Sequence, residues 1–454
     1  MTTQIFVVST AFGLATLTAA IADHAFEDAN RRILLVSCHT AMPEATPSIR
    51  EVTGVRGLCD GFDDVYDYNE AIEPQHPMAW APRQADLPIL SRYFRDLWRL
   101  GQDSVHLIVE SIQVNPARAL CRIFEDARID VYADGLMSYG PTRTSLPAAI
   151  GSRVERLLHL DLAPGLVPVL LREWSVRQVV ISSRSMRSVI AGMLAPGGDR
   201  RATDGGEAGR SAMVVGQYLA ANALITDAEE VDLYASMISR CVDEGFERVI
   251  FKPHPSAPVT HLSRLHDTAS KRKAELLVAD GLELAEASYS RGQVGLVVGC
   301  FSTALMTAHS VFGLPVARYG TELLLERLTP YENSNRIPVT IVDAFAREVG
   351  GPPARSGQPA AHPSPTDLNA LVVAVSYAMQ PELNADRRAE AAQFLAAHPV
   401  ERSRYVKRRR LTRLALPGGV PHRRGGTLLR RIARPVVKRP PGRFSRIGRR
   451  GNKA

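Results

Sequence analysis

Residues 248–255 read RVIFKPHP and residues 293–305 read QVGLVVGCFSTAL. In each, a short β-branched, apolar run stops at residues that carry chemistry: Lys252-Pro253-His254-Pro255 in one, Cys300-Phe301-Ser302-Thr303 in the other. A continuous apolar run has no polar face to offer solvent. It therefore reads as a strand covered on both sides, as in a parallel sheet flanked by helices. Ligands of such sheets bind beyond the carboxyl ends of the strands, so the residues after each run are the functional candidates.

The same pattern extends to either side. AMVVGQYL (212–219), ELLVAD (275–280) and LPVARY (314–319) complete one series, with helical stretches at 227–244, 260–274 and 302–312 between them. An earlier series comprises IFVVST (5–10), RILLVSCHT (32–40), SVHLIVES (104–111), IDVYADG (129–135), RLLHLDL (156–162) and RQVVISS (177–183), with helix patterns at 87–100 and 116–127. The prediction is an α/β chain of two doubly wound parallel-sheet domains, 1–194 and 211–345, facing a cleft. Residues 195–210 (APGGDRRATDGGEAGR) are rich in Gly and charge and read as the linker. Residues 346–400 read as a Pro/Ala-rich loop and C-terminal helices, and 401–454 as a basic tail too poor in apolar residues to fold. The uncharged stretch Ile5–Ala22 is near the lower limit for a membrane span. No basic residue precedes it and it holds Ser and three Thr, so a buried strand plus helix is the expectation.

Composition narrows the class. Of 454 residues, 45% are hydrophobic and 22% charged, which excludes a disordered or collagenous chain. The net charge of +8 is misleading. Arg402–Ala454 holds 19 Lys and Arg and no acid, leaving 36 basic against 47 acidic residues elsewhere. The folded body is thus acidic. Five scattered cysteines without a CxxC pair imply neither a disulfide framework nor a zinc cage, and suit a reducing compartment.

Three strand ends could carry chemistry. Asp134-Gly135 follows IDVYA: either a general base at a cleft, or a turn capping the next helix. His254, held between Pro253 and Pro255, has a backbone stiffened on both sides and can donate to a phosphate, or simply packs in its loop. Ser302 opens an apolar helix, and with Thr303 either caps it or presents hydroxyls and free N–H groups to a phosphate.

Together these sites resemble the bacterial sialyltransferase and alpha-2,8-polysialyltransferase-like families of the GT-B fold. Those families share an acidic D/E-D/E-G motif in the first domain, an HP motif in the second, and a serine motif some 45–50 residues later. Ala133-Asp134-Gly135, His254-Pro255 and Ser302-Thr303 match in order, with 48 residues from His254 to Ser302. The opening STAFGL and Gly216-Gln217 are similar too, so the resemblance covers about residues 3–345. It implies an inverting, metal-independent transfer of sialic acid or a related acidic sugar from a CMP-sugar to a hydroxyl of a glycan or glycolipid. No separate cofactor is implied. Asp134 would act as base and His254 on the leaving phosphate. Gly135, Gly216, Lys252, Pro255, Ser302 and Thr303 would bind substrate, and Glu286, with Glu283 the near alternative, would contact the cytidine. One departure stands out: the first acidic position of the triplet is Ala133.

Two other classes remain open on the residues. A CMP-releasing polyol-phosphate polymerase of the teichoic-acid type also pairs His-Pro with Ser, and should show a second His-Pro in the catalytic half; His76-Pro77 and His398-Pro399 are two such pairs, and neither follows a parallel-strand pattern. An inactive nucleotide- or glycan-binding protein would keep the fold without the base. For the tail, an anionic membrane surface is the favoured partner, at about 1 kcal/mol per well-placed basic residue, which would place the chain in the cytoplasm at the inner face of the plasma membrane. A polyanionic glycan or no partner at all are the other readings, and with one Phe and no recognised module nucleic acid is disfavoured.

Overall fold

The computed structural model describes residues 1–52, 54–194, 211–254, 262–351 and 365–420. The linker 195–210, Pro255 and residues 421–454 of the basic segment lie outside the described residues.

The first sheet comprises β1 (Thr2–Val8), β2 (Arg31–Val36), β3 (Asp64–Asp67), β4 (Ser104–Val109), β5 (Arg128–Ala133), β6 (Val154–Leu160) and β7 (Arg177–Ile181). Their spatial order is β3-β2-β1-β4-β5-β6-β7, with every neighbouring pair parallel. The second sheet comprises β8 (Ser211–Val215), β9 (Arg248–Lys252), β10 (Glu275–Val278), β11 (Val294–Gly299), β12 (Val316–Arg318) and β13 (Arg347–Glu348). Its order is β10-β9-β8-β11-β12-β13, again parallel. Both orders reverse direction next to their first strand, β1/β4 and β8/β11, the switch point where such sheets open a crevice.

Ile5, Phe6, Val7 and Val8 are wholly or almost wholly buried, because helices cover both faces of the sheet. Helix 11–22 follows at once, its start capped by Thr10, whose hydroxyl accepts from the Gly13 N–H at 2.9 Å. The stretch 5–22 is therefore the interior strand and helix that its composition predicts, and no helix among the described residues is long and apolar enough to cross a membrane. Apolar packing is continuous from this side of the first sheet into the second domain, where Leu136–Tyr139 packs on helix 336–345.

Two elements depart from the sequence expectation. β3, DVYD, and β13, two residues long, sit on sheet edges and carry no apolar run to reveal them. More consequential, the chain does not lose structure at residue 401. Helices 399–405 and 408–413 fold back onto the second domain, so seven of the nineteen basic residues belong to the folded body. Tyr405, Val406, Leu411 and Leu416 bury themselves in the core, and charge pairing adds to their hold. Asp343 is buried and accepts from Arg404 Nη2 and the Tyr405 hydroxyl, both at 2.8 Å, with Arg318 Nη1 3.2 Å away. Arg410 donates to the carbonyls of Ala378 and Met379 and pairs with Glu332. Helix 365–379 and its successor also reach the first domain, through Asn369 to the Val167 N–H and through Asp386 to Arg172.

Burial alone would raise the Asp343 pKa, yet its Arg404, Thr321, Arg318 and Tyr405 partners hold it below the ordinary value. A depressed carboxyl stabilises the fold above its unfolded value of about 3.9, and that stability is lost as pH falls through the folded value. Asp343→Asn should therefore cost about 3 kcal/mol at neutral pH, read as a lower urea midpoint. The gap from wild type should close below about pH 4. An unchanged midpoint at pH 7 would refute this role for Asp343.

Candidate active site

The carboxyl ends of β1, β5, β8, β9 and β11 converge on a cleft of about 460 Å³ between the domains, lined by Thr10, Asp134, Gly216, Lys252, His254, Glu286, Ser302 and Thr303 among others. A second cavity of about 380 Å³ shares Asp134 and Thr303 with it and adds Glu110, Tyr132 and Gly135. A groove of about 650 Å³ runs from Ser9 and Thr10 along the ends of β1, β2 and β3.

The Asp-Gly and Ser-Thr segments, some 170 residues apart in sequence, touch across the cleft. Thr303 Oγ1 accepts from the Leu136 N–H at 3.4 Å, and a Cβ on Gly135 would come within 2.9 Å of that oxygen. Glycine at 135 is what allows the approach. Asp134 faces the start of helix 11–22, where Gly13 leaves room for it: a Cβ there would lie 3.5 Å from Asp134 Oδ2 and 3.2 Å from the Tyr132 hydroxyl. Burial raises the Asp134 pKa, and its own backbone N–H only partly offsets that.

On the second-domain wall, the Gly216 N–H donates to the Lys252 carbonyl at 2.8 Å, which draws the end of β8 beside the Lys-Pro-His segment. His254 stacks on Tyr218, rings 5.6 Å apart and 6° from parallel. Burial, then the Lys252 charge, lower its pKa, with Glu230 opposing, so at neutral pH the ring is uncharged and one nitrogen carries a proton. Lys252 Nζ donates to the carbonyls of Pro253 and Gly281, both at 3.1 Å, and burial lowers its pKa. Ser302 caps helix 303–310 by accepting from the Ala304 N–H at 3.2 Å. That capping is one of its two readings, and the Leu305 N–H is taken by the Ser302 carbonyl. Gln217 Oε1 accepts from the Phe301 N–H at 2.9 Å and ties the two segments together.

Both cytidine-contact candidates line the cleft but differ in bonding. Glu283 is paired with Arg291. Glu286 is buried and accepts from Thr307 Oγ1 at 2.6 Å, its pKa raised by burial. Cys300 is buried with its thiol pushed far up, so it is no nucleophile. Among the described residues no three His, Cys, Asp or Glu cluster as a metal site would require. His76-Pro77 and His398-Pro399 do not follow strands: His76 bonds the Thr40 carbonyl and His398 stacks on Phe394 in a helical segment.

Sequence reasoning missed Glu110, Tyr132 and Tyr218. Glu110 is the first residue past β4, and the strand-end rule that selects Asp134 after β5 would have selected it too. The two tyrosines carry no such positional signal.

Two parallel-sheet domains that join their strand ends across one cleft define the architecture as GT-B. The profile of the alpha-2,8-polysialyltransferase (POLYST) family matches residues 4–321, and the chain belongs to that family. No curated protein matches it in sequence. Among solved structures it is similar to UGT73P12 of Glycyrrhiza uralensis complexed with glycyrrhetinic acid 3-O-monoglucuronide, at 12% identity over 88% of this chain and 94% of that one, TM-score 0.42. It is also similar to the UDP-GlcNAc 2-epimerase of Methanocaldococcus jannaschii, at 9% identity over 70% and 83%, TM-score 0.42. A third is MurG of Acinetobacter baumannii, at 12% identity over 86% and 94%, TM-score 0.38.

The Gly135–Thr303 contact yields a direct test. Gly135→Ala should prop the domains apart and lower kcat/KM by up to about 100-fold, the cost of an ångström-scale misplacement. Adding Thr303→Ala removes the oxygen a new Cβ would meet. The double variant should then lose less than the two single effects summed, as a double-mutant cycle reads. Simple additivity would contradict the contact.

Proposed function

We propose that this glycosyltransferase moves sialic acid or a related acidic sugar from a CMP-sugar to a hydroxyl of a glycan acceptor, in one inverting displacement without a metal ion. The observation that carries the reading is the meeting of Asp134-Gly135 with Ser302-Thr303 in one cleft whose other wall holds His254. The acceptor hydroxyl loses its proton at Asp134 and attacks the anomeric carbon. CMP departs on the opposite side with the bonding electrons. A proton on His254, the Thr303 hydroxyl and the positive end of helix 303–310 meet the charge developing on its phosphate. Closing the domains over the cleft would keep water from the donor.

The groove beside the cleft favours one kind of acceptor. Glu44, Asp67, Glu70 and Glu73 line it, with no Lys or Arg among its lining residues. Such a field repels a polyanionic chain, so the acceptor we propose is an uncharged glycan end.

The test is CMP release from CMP-sialic acid and other CMP-sugars in the presence of a chelator. His254→Ala and Asp134→Ala should each slow release by at least ~100-fold. Inhibition by the chelator would contradict the metal-free mechanism, and CMP binding without release from any donor would mark a non-catalytic binder. In the same assay a neutral acceptor should be used faster than a polysialylated one at low salt, with the difference shrinking as salt screens the repulsion. Faster use of the polyanion at low salt would overturn the acceptor assignment.

A further inference from the structure

Position 133, the first of the acidic triplet in the families this chain resembles, is alanine here and closes β5. The neighbouring strand supplies an acid at the same edge. In the β4–β5 register Val109 pairs with Val131, which brings Glu110 level with Tyr132. Glu110 lines the same cavity as Asp134. Its Oε2 lies 3.3 Å from the Tyr132 hydroxyl, which is itself 3.0 Å from the Val7 carbonyl.

What singles out Glu110 is an unpaired oxygen at this cavity: Oε1 is buried and has no hydrogen-bond partner, and Glu173, whose Oε1 is in the same state, does not line the cavity. Among the described residues, other buried carboxylates are used by the fold. Asp130 is held by Arg156 and His106, and Asp343 by Arg404 and Tyr405. Glu230 accepts from the N–H groups of Leu219 and Ala220, and Glu286 from Thr307. A buried carboxylate with an unpaired oxygen is costly, and a hydroxyl brought beside it from the adjoining cavity would supply the missing donor. Tyr132 orients the group without satisfying it.

We propose that Glu110 and Asp134 act together as the proton-accepting pair for the acceptor hydroxyl, with Glu110 standing in for the acid absent at position 133. The proposal rests on the transfer reading above and deepens it. The acceptor O–H proton passes to the pair, and the acceptor oxygen forms its bond to the anomeric carbon. The bond from that carbon to the phosphate oxygen breaks, and its electrons leave with CMP.

The groups facing Glu110 are Ser9 from the end of β1, Tyr132 and Asp134 from β5 and its exit, and Arg143 and Glu332 across the cavity. Burial and then the Asp134 charge raise Glu110 to about 7, while the nearby polar groups of Ser9 and Tyr132 draw it partly back. A base poised near neutrality is the one best suited to take a proton at physiological pH.

The experiment is the pH profile of transfer from a CMP-sugar, with CMP affinity measured alongside. Glu110→Gln should lower kcat by at least ~100-fold with CMP affinity and melting temperature unchanged. It should also abolish the rising limb near pH 7. Glu110→Asp should recover part of the rate. Wild-type kcat and an unmoved pH limb in Glu110→Gln would overturn the proposal. If the wild type binds CMP but transfers nothing, the transfer reading fails. A titration of ¹³C-glutamate-labelled protein then judges the pair alone: a Glu110 midpoint near 7 that falls in Asp134→Asn supports it, and a midpoint near 4, the ordinary value, overturns it.

Discussion

The site depends on the close approach of one side chain to the backbone of the facing domain. Thr303, one residue inside helix 303–310, reaches over the cleft to the Leu136 N–H, and only a residue without a side chain at 135 lets it come that near. The contact sets the distance between the wall that would hold the nucleotide phosphate and the wall that would hold the acceptor. Asp134 and Thr303 consequently line both cavities. Helix 336–345 on Leu136–Tyr139, and the C-terminal helices that return to the first domain, keep the two sheets in that register.

Electrostatics sorts the buried acids into two groups. Buried carboxylates that hold the structure have their oxygens taken by arginine, hydroxyl or backbone donors. At the cleft, Glu110 keeps an unpaired oxygen, burial pushes both it and Asp134 upward, and the Asp134 charge adds to the rise at Glu110. The arginines of 402–413 belong with the first group, since Arg404 and Arg410 neutralise acids of the second domain and hold the last helices in place. Charge counting along the sequence cannot separate such buried clamps from a free basic run, because pairing is a property of the folded neighbourhood.

The interior strands were legible because strands buried on both faces must be continuously apolar, and a parallel arrangement follows from that. Their carboxyl ends then located His254, Ser302 and Asp134 without further information. Edge strands β3 and β13 were not legible, since an edge needs no apolar run. Glu110 was legible in principle and passed over, because a single acid after a strand looks like an ordinary loop residue until its oxygen is seen buried and unpaired. The stacking of Tyr218 on His254 joins two strand exits and leaves no mark in either one.

The central claim is that the second-domain wall of the cleft reads a cytidine monophosphate. Titration calorimetry of CMP, UMP and ADP into the full-length protein tests it most directly. The account predicts that CMP binds most tightly and that Ser302→Ala together with Thr303→Ala weakens it. UMP or ADP binding as tightly as CMP, or CMP binding indifferent to both substitutions, would contradict it.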